Sequence, residues 1–341
     1  MIQKQLLNVY FFLADIIGIN YLFRYINSKK IRALMYHGVT CDEYNFKYWL
    51  QLSAKKFRWQ IDYINKKYTV ITPLEFMEIT KNRMLTKKNV VLITFDDGLL
   101  NNYNCAWPIL KTLKIPAICF VLPKLSMEND IIWSNKLFEW FMFENYDHLQ
   151  VNHNVNIDIQ IPKAYNERVL LAHNIIGKLK NLDNKRRTSI ITEIYKKYPI
   201  TENNYTSSKL MNMEQIKELS TSNIMYISSH TDTHPVLSNL TTHEQYQEIK
   251  SSIDKLNDYE VKNLPLFAYP SGYYNDQTIK VLKDNNIFAA FTTNDGLHDI
   301  ENNRYEINRI SIGGNISRWE YKARLSGLYY FIKKINKKDE K

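Results

Sequence analysis

The apolar run Val90-Val91-Leu92-Ile93 leads into Thr94-Phe95-Asp96-Asp97-Gly98, so a strand buried on both faces would deliver two adjacent carboxylates to its own end. Farther along, Asn223-Ile224-Met225-Tyr226-Ile227 leads into His230-Thr231-Asp232-Thr233-His234, two imidazoles at metal-ligand spacing. Pro235 biases His234 away from the α region, so this pair reads as a strand-end turn and not as a regular helix. Two neutral imidazoles and one carboxylate suit zinc or a similar divalent ion, with positions left open for water and a substrate oxygen. Water activated there ionises at a pH of about 7, and a second, unligated carboxylate can take its proton. An Asp-His-His set beside a spare carboxylate therefore suits hydrolysis of an ester or amide.

Such residues need strands to bring them together. From Ile31 onward, short apolar runs alternate with helix-like segments. Strands are expected at Ile31–Tyr36, Tyr68–Ile71, Val90–Phe95, Pro116–Leu122, Ile224–Ser228, Leu264–Tyr269, Ile287–Thr292 and Glu306–Ile312. Helices are expected at Phe57–Lys67, Asn101–Leu113, Thr242–Leu256 and Gln277–Asn285, the third opened by a capping box with Thr241 as N-cap and Glu244 reaching back. This order predicts an α/β fold, a distorted (β/α) barrel of seven or eight parallel strands. In such barrels the C-terminal strand ends share one mouth, where Asp96-Asp97, His230 and His234, Tyr269-Pro270-Ser271-Gly272 and His37 would meet. His148, His153, His173 and His298 fall in loops or in the insertion, with nothing to tie them to the mouth, and His243 falls in a solvated first helical turn.

The Asp and His pairs are about 130 residues apart, too many for the βα units that a barrel needs between them. A mostly helical insertion is expected over about 126–212, with helices at Lys136–Phe143, Asn166–Leu179 and Lys185–Tyr195 and an exposed strand at Val151–Ile161. The barrel itself would occupy 31–332, followed by a basic tail over 333–341. Before the barrel, Leu6–Phe23 is apolar and aromatic, but Asn8, Asp15 and Asn20 interrupt it and no Ala-x-Ala cleavage site follows. With Lys29, Lys30 and Arg32 next in line, residues 1–30 fit an amphipathic helix at the cytoplasmic membrane face, or else a helix covering the bottom of the domain. The expected location is the cytoplasm or that membrane face, and an outward-facing site follows only if residues 6–23 are an uncleaved anchor.

Composition narrows the partners. With 341 residues, 45% of them hydrophobic, the chain can bury one large domain. Its net charge of +10 permits an acidic partner or an anionic membrane, but no basic and aromatic stripe marks a nucleic-acid surface, and nucleic acid is excluded. Cys41, Cys105 and Cys119 are sparse, odd in number and without CxxC spacing, and read as reduced structural residues.

At these motifs the chain resembles the polysaccharide deacetylases of the NodB-homology type, carbohydrate esterase family 4, over residues 31–315. The resemblance implies Asp96 as catalytic base and Asp97, His230 and His234 as ligands of one divalent ion, most simply Zn2+. Phe267-Ala268-Tyr269-Pro270-Ser271-Gly272 resembles the family's third motif, which implies that Tyr269, Pro270, Ser271 and Gly272 line the sugar groove and that a backbone N–H there meets the oxyanion. Two departures follow. Ala268 stands where many members carry an arginine that tethers the base, and the late Leu-x-His that supplies the general acid is missing. Arg309, in Asn308-Arg309-Ile310-Ser311-Ile312, is the candidate for the first role, against an ordinary mouth salt bridge. His37, in Met35-Tyr36-His37-Gly38-Val39, is the candidate for the second, against a structural or substrate-contacting role, since first and last strands are neighbours in a closed barrel. Similar YH segments occur in the branch that acts on poly-N-acetylglucosamine and related envelope glycans.

The implied activity is removal of N-acetyl groups from an N-acetylhexosamine in an envelope polysaccharide or its lipid-linked precursor, with release of acetate. Two rivals stand beside it: another barrel metallohydrolase acting on a small amide, and a glycan-binding protein on a degenerate barrel, against which the intact Asp96, Asp97, His230 and His234 weigh.

Overall fold

The computed structural model describes residues 2–41, 51–152, 156–201 and 207–339, so His153 and parts of the expected insertion and tail lie outside it. Among these residues the strands are β1 (Arg32–Tyr36), β2 (Gly38–Thr40), β3 (Gln51–Ser53), β4 (Thr69–Val70), β5 (Val90–Phe95), β6 (Ala117–Val121), β7 (His148–Asn152), β8 (Asn156–Gln160), β9 (Met225–Ser229), β10 (Asn263–Ala268), β11 (Ala289–Asp295) and β12 (Ile307–Ser311). The helices are α1 (Ile2–Ile16), α2 (Ile19–Ile26), α3 (Ala54–Lys67), α4 (Pro73–Asn82), α5 (Trp107–Leu113), α6 (Pro123–Glu128), α7 (Trp133–Phe143), α8 (Tyr165–Lys180), α9 (Asn184–Lys197), α10 (Met213–Thr221), α11 (Thr242–Asp258), α12 (Asp276–Asp284), α13 (Arg318–Ser326) and α14 (Leu328–Asp339).

All eight expected barrel strands form. The main sheet has the order β1-β12-β11-β10-β9-β6-β5-β4, wholly parallel, and β1 also pairs with β5. Seven strands thus close the barrel, while the two-residue β4 pairs with Val90 and Val91 at the start of β5. Because β1 lies between β5 and β12, Tyr36 sits beside Phe95 and Ala33 beside Arg309.

Side chains alternate across each strand. Ala33, Leu92, Phe120, Leu266, Phe291 and Ile307 share one buried cluster inside the barrel. Their neighbours Leu34, Val91, Ile93, Cys119, Ile227 and Ile310 face outward, against Phe57 and Ile61 of α3, Leu110 of α5, Ile216 of α10 and Tyr321 of α13. Burial on both faces explains why β5 reads as an unbroken apolar run. The inward parity continues upward into chemistry: Leu92 leads to Thr94 and Asp96, Ala33 to Met35 and His37, and Ile307 to Arg309 and Ser311.

Helix starts follow local rules. Thr241 and Glu244 form the expected capping box of α11, and Thr72 with Glu75 and Asn212 with Gln215 do the same for α4 and α10. The segment expected as one helix over Asn101–Leu113 opens with a π-type turn, Asn102–Ala106, and continues as α5. In the insertion, α7, α8 and α9 pack with β7 and β8 around their own core, which includes Phe138, Trp140, Leu149, Ile176 and Ile190. The single exposed strand expected at Val151–Ile161 instead divides between the end of β7 and the whole of β8, an antiparallel pair in which Leu149, Val151 and Ile157 are buried.

Three terminal or covalent features differ from expectation. The apolar N-terminus is two helices bent by 80°, with Gly18 at φ +83° between them. The basic residues after Ile332 continue α14 as far as Asp339. Cys41 and Cys105 form a disulfide with a Cα–Cα distance of 5.6 Å, so only Cys119 is a free thiol, and it is buried. Spacing in sequence could not reveal that pair, because the bonded residues are 64 apart and meet through the packing of β2 against the π-type turn. Cross-linking a loop of that length stabilises by about 4 kcal/mol in the chain-entropy limit. Cys105→Ser is expected to lower the unfolding free energy by about 2–4 kcal/mol, read from urea melts with and without reductant, and reductant should lower the parent protein to the variant's value.

Candidate active site

Asp96 follows β5 at an inward position and is almost wholly buried. Its partner is Arg309 of β12: Nη1 donates to Oδ1 and Nη2 to Oδ2, both at 2.7 Å. Two further donors of this buried guanidinium are used, Nε on Thr292 O at 2.8 Å and Nη1 on Thr94 Oγ1 at 3.1 Å. A planar fork matched to both carboxylate oxygens is the strongest geometry available to an ion pair. Burial pushes the Asp96 carboxyl up, but the Arg309 charge and hydrogen bonds outweigh it, and the net shift is downward. Asp96 is thus a fixed carboxylate in a dry place.

Asp97 turns the other way, at φ +77°, and Gly98 follows at +67°. A Cβ on Gly98 would stand 3.0 Å from Val121 Cγ1, so only glycine lets the chain pass β6 here. Asp97 Oδ1 lies 3.6 Å from Nε2 of His230 and 3.6 Å from Nε2 of His234, and the three donor groups form a buried cluster. Donors held about 2.1 Å from a tetrahedral ion stand roughly 3.4 Å apart, so the residues fit one ion of zinc size. The outer contacts agree. His230 Nδ1 lies 2.7 Å from the Ala268 carbonyl, which only accepts, so Nδ1 carries the proton and Nε2 presents its lone pair to the site. Asp97 is lowered despite burial, through its contacts with His230 and the charges of His37 and His234. Burial lowers His234 to about 3, against the pull of Asp97, which keeps this ring neutral and able to ligate.

The His motif is a strained turn, with Thr231 at φ +74° and His234 at +59°. Helix α11 holds it. Glu248 accepts from the backbone N–H of Asp232 and of Thr233 and from the Thr233 hydroxyl, while Asp232 accepts from Ser251 and Lys255 and from the Lys124 N–H.

These groups line a cavity of about 290 Å³ with Met35, His37, Ser134, Asn135, Lys180, Ser271, Thr293 and Ser311. His37 follows β1 beside Asp96, whose backbone N–H donates to Tyr36 O at 2.9 Å. Burial lowers the His37 imidazole, opposed by the charges of Asp97 and Asp96.

The third motif divides between the cavity and the core. Of Tyr269, Pro270, Ser271 and Gly272, Ser271 alone lines the cavity, at φ +54°. Tyr269 is fully buried outside the barrel, stacked on Tyr274 with its hydroxyl on Tyr305 O at 2.9 Å, and Pro270 is buried. The reason is strand parity: Ala268 points inward, so Tyr269 must point out. Gly272, at φ +76°, passes so close to Thr293 that a Cβ would lie 1.9 Å from its hydroxyl oxygen, which makes it a backbone requirement and not a cavity wall.

Sequence reasoning missed Ser134, Asn135 and Lys180, which the insertion brings over the mouth, and Glu248 and Lys255 behind the His turn. Lys180 is held at its carbonyl by Asn239 Nδ2, 2.9 Å away on the loop after the His motif. No sequence signal marks these residues, whereas Met35, Thr293 and Ser311 were within reach of the period-two count from His37, Phe291 and Arg309.

The family model described as Polysaccharide deacetylase matches residues 83–146 and 175–290, more than half of the chain. A Bacillus subtilis (strain 168) protein named as a polysaccharide deacetylase, YxkH, is 22% identical over 290 residues, 84% of this chain and 73% of its own length. The solved Streptococcus pyogenes deacetylase PplD, in complex with acetate, superposes with a TM-score of 0.57 at 23% identity over 87% of this chain and 99% of its own. IcaB from Ammonifex degensii gives 0.55 at 18% identity over 87% and 97%. Both share the barrel fold.

Arg309→Met leaves Asp96 buried and unpaired, which is expected to cost about 3–5 kcal/mol of stability. With the cation gone, burial is opposed only by the lesser charges of His230 and His37, and the Asp96 pKa rises. The paired carboxylate stabilises the fold above its unfolded-state pKa, and this contribution is lost as pH falls through the lower folded value. In the variant that contribution is gone, so its stability deficit against the parent should be largest near neutral pH and narrow as pH falls through the carboxylate range, as read by urea melts followed by circular dichroism.

Proposed function

Because this chain belongs to the polysaccharide deacetylase family, we propose that its site removes the N-acetyl group of an N-acetylhexosamine in an envelope glycan or its lipid-linked precursor, and that zinc is the ion. Hydrolysis of the acetyl amide is the family's reaction. The observation that carries the fuller reading is the meeting of two separately held carboxylates in one cavity, Asp96 clamped by Arg309 and Asp97 turned to two imidazoles. The acetate bound to the deacetylase of Streptococcus pyogenes, a protein of similar fold, is the expected product of this reaction.

Asp97, His230 and His234 would hold the ion, which when bound polarises the acetyl carbonyl and lowers the pKa of water. Asp96 takes a proton from the attacking water. Arg309 keeps that carboxylate ionised and fixed in direction, so no reorientation is needed during attack. A backbone N–H at Ser271 faces the developing oxyanion. His37, beside Asp96 on β1, gives a proton to the leaving amine as the C–N bond breaks, and acetate and a free amino sugar depart. The Cys41–Cys105 bond supports an oxidising location outside the cytoplasm over the cytoplasmic one that the N-terminus suggested.

Asp97→Ala or His230→Ala is expected to lose both bound zinc, by metal analysis, and acetate release. Asp96→Asn should keep zinc and lose turnover by about 100-fold or more, and full activity in that variant would remove the base assignment. His37→Ala should lower turnover with zinc content unchanged, and unaltered kinetics would end its role as acid.

A further inference from the structure

We propose that the outer face of α1, α2 and α14 docks on an anionic lipid bilayer, and that docking brings the barrel mouth to glycans carried on lipids of that bilayer; the substrate half of this rests on the deacetylase reading above. Helix α1 is apolar on two sides. Phe11 and Ala14 are buried against Ala323 and Leu328, as a docked helix requires. The opposite side should then be polar, yet Leu13, Ile16 and Ile17 are 51, 63 and 70% exposed. Tyr21 and Tyr25 of α2, 67 and 68% exposed, and Phe331 of α14, 51% exposed, are further large side chains left in solvent on the adjoining helices. Phe331 meets Phe23 of α2 at a ring distance of 5.1 Å, so α14 packs on α2, which in turn contacts α1.

Charge selects the occupant. Lys29, Lys333 and Lys334 are exposed at the edge of this face, and Arg24 and Lys30 are half-buried beside it. Asp15, the only acid of α1 and α2, is turned inward to Lys322 and Asn20. Apolar and aromatic side chains rimmed by unopposed cations are the pattern of a helix resting on anionic headgroups. Among the described residues no single helix is long and apolar enough to cross a membrane, and the one pair that passes by composition is bent by 80° and pinned along α13, so the face lies on a bilayer and does not span it.

The direction of α1 connects this face to the site. Asn8 meets Ser317, Asp15 meets Lys322 and Asn20 meets Ser326, so α1 runs parallel to α13 with its start beside the loop that follows β12, on the mouth side. A cavity of about 350 Å³ lies there between Leu7 and Phe11 of α1 and Gly313, Asn315 and Ile316. Ser311 lines both this cavity and the catalytic one. The exposed apolar stripe of α1 reaches this end through Leu6 and Val9, 64 and 55% exposed, so docking of α1 sets the mouth beside the surface, where a sugar attached to a membrane lipid would reach Asp96.

The test uses the full chain and Leu13→Glu/Ile17→Glu, two exposed sites whose change should leave the thermal melt unaltered. Phosphatidylcholine vesicles with and without phosphatidylglycerol are sedimented with protein, and acetate release is measured from polyprenyl-diphosphate-linked N-acetylglucosamine in vesicles and from soluble chitotetraose. The expected result is salt-sensitive binding that requires phosphatidylglycerol and falls by roughly tenfold or more in the variant. Release from the vesicle-borne substrate should fall in parallel, while release from chitotetraose stays unchanged. Absent vesicle binding, binding unaffected by the substitutions, or equal slowing on both substrates would overturn the proposal. So would a dimer in light scattering that the substitutions break without any vesicle binding, which would give the face to a second copy of the chain. Vesicle binding with acetate released from neither substrate would support docking and overturn the substrate half together with the deacetylase reading.

Discussion

Asp96 and Arg309 are 213 residues apart in the chain, and they close on each other through two hydrogen bonds of 2.7 Å inside the barrel. Neither charge could sit there alone. A carboxylate removed from water protonates unless something offsets its desolvation, and a buried guanidinium needs acceptors for its whole fork. Arg309 places four of its five N–H donors on Asp96, Thr94 and the Thr292 carbonyl, and Thr94 in turn donates to Leu34 O. The barrel interior accepts this network because β1, between β5 and β12, contributes the small Ala33, while β10 contributes Ala268. The family's usual arginine is absent at Ala268, and the guanidinium enters from β12 instead. What is kept is the chemistry at Asp96, not the strand that supplies it.

The second carboxylate is separated from the first by backbone conformation. Asp96 continues the inward parity of β5, whereas Asp97 sits in the left-handed region and swings toward His230 and His234. Two acids adjacent in sequence thereby acquire unlike surroundings, one facing a guanidinium and the other facing two imidazoles. The left-handed residues Asp97, Thr231, His234 and Ser271 all belong to the mouth turns. Such conformations persist only where the surroundings over-determine them. Helix α11 does this for the His turn through Glu248, Ser251 and Lys255, and the insertion presses on the loop that follows through Asn239.

Much of this was legible before any coordinates. Strands buried on both faces leave apolar runs whose ends are visible, so all eight barrel strands and the convergence of their last residues could be read. Counting by twos from Arg309 or His37 reaches Ser311 and Met35. The same count, applied to Phe267-Ala268-Tyr269, turns Tyr269 away from the sugar groove that the motif resemblance suggested, and its burial against Tyr274 follows. Cys41 and Cys105 carried no such period. Their pairing depends on how β2 packs on the π-type turn, and local pattern is blind to it.

The sequence by itself determined which side chains share a face, because strand geometry alternates every two residues and helix geometry turns every 3.6. From that come the barrel, the inward Asp96, Arg309 and His37, and the imidazoles that complete a metal-ligand set. Only the tertiary structure decided how these faces meet: β1 set directly against β5, Arg309 rather than a neighbour on β10 paired with Asp96, and Lys180 and Asn135 carried over the mouth by a separately cored insertion. It also decided that α1 lies along α13 with its start at the mouth. These are contacts between residues hundreds of positions apart, and they are selected by packing and by the cost of burying unpaired charge, neither of which a local sequence window contains.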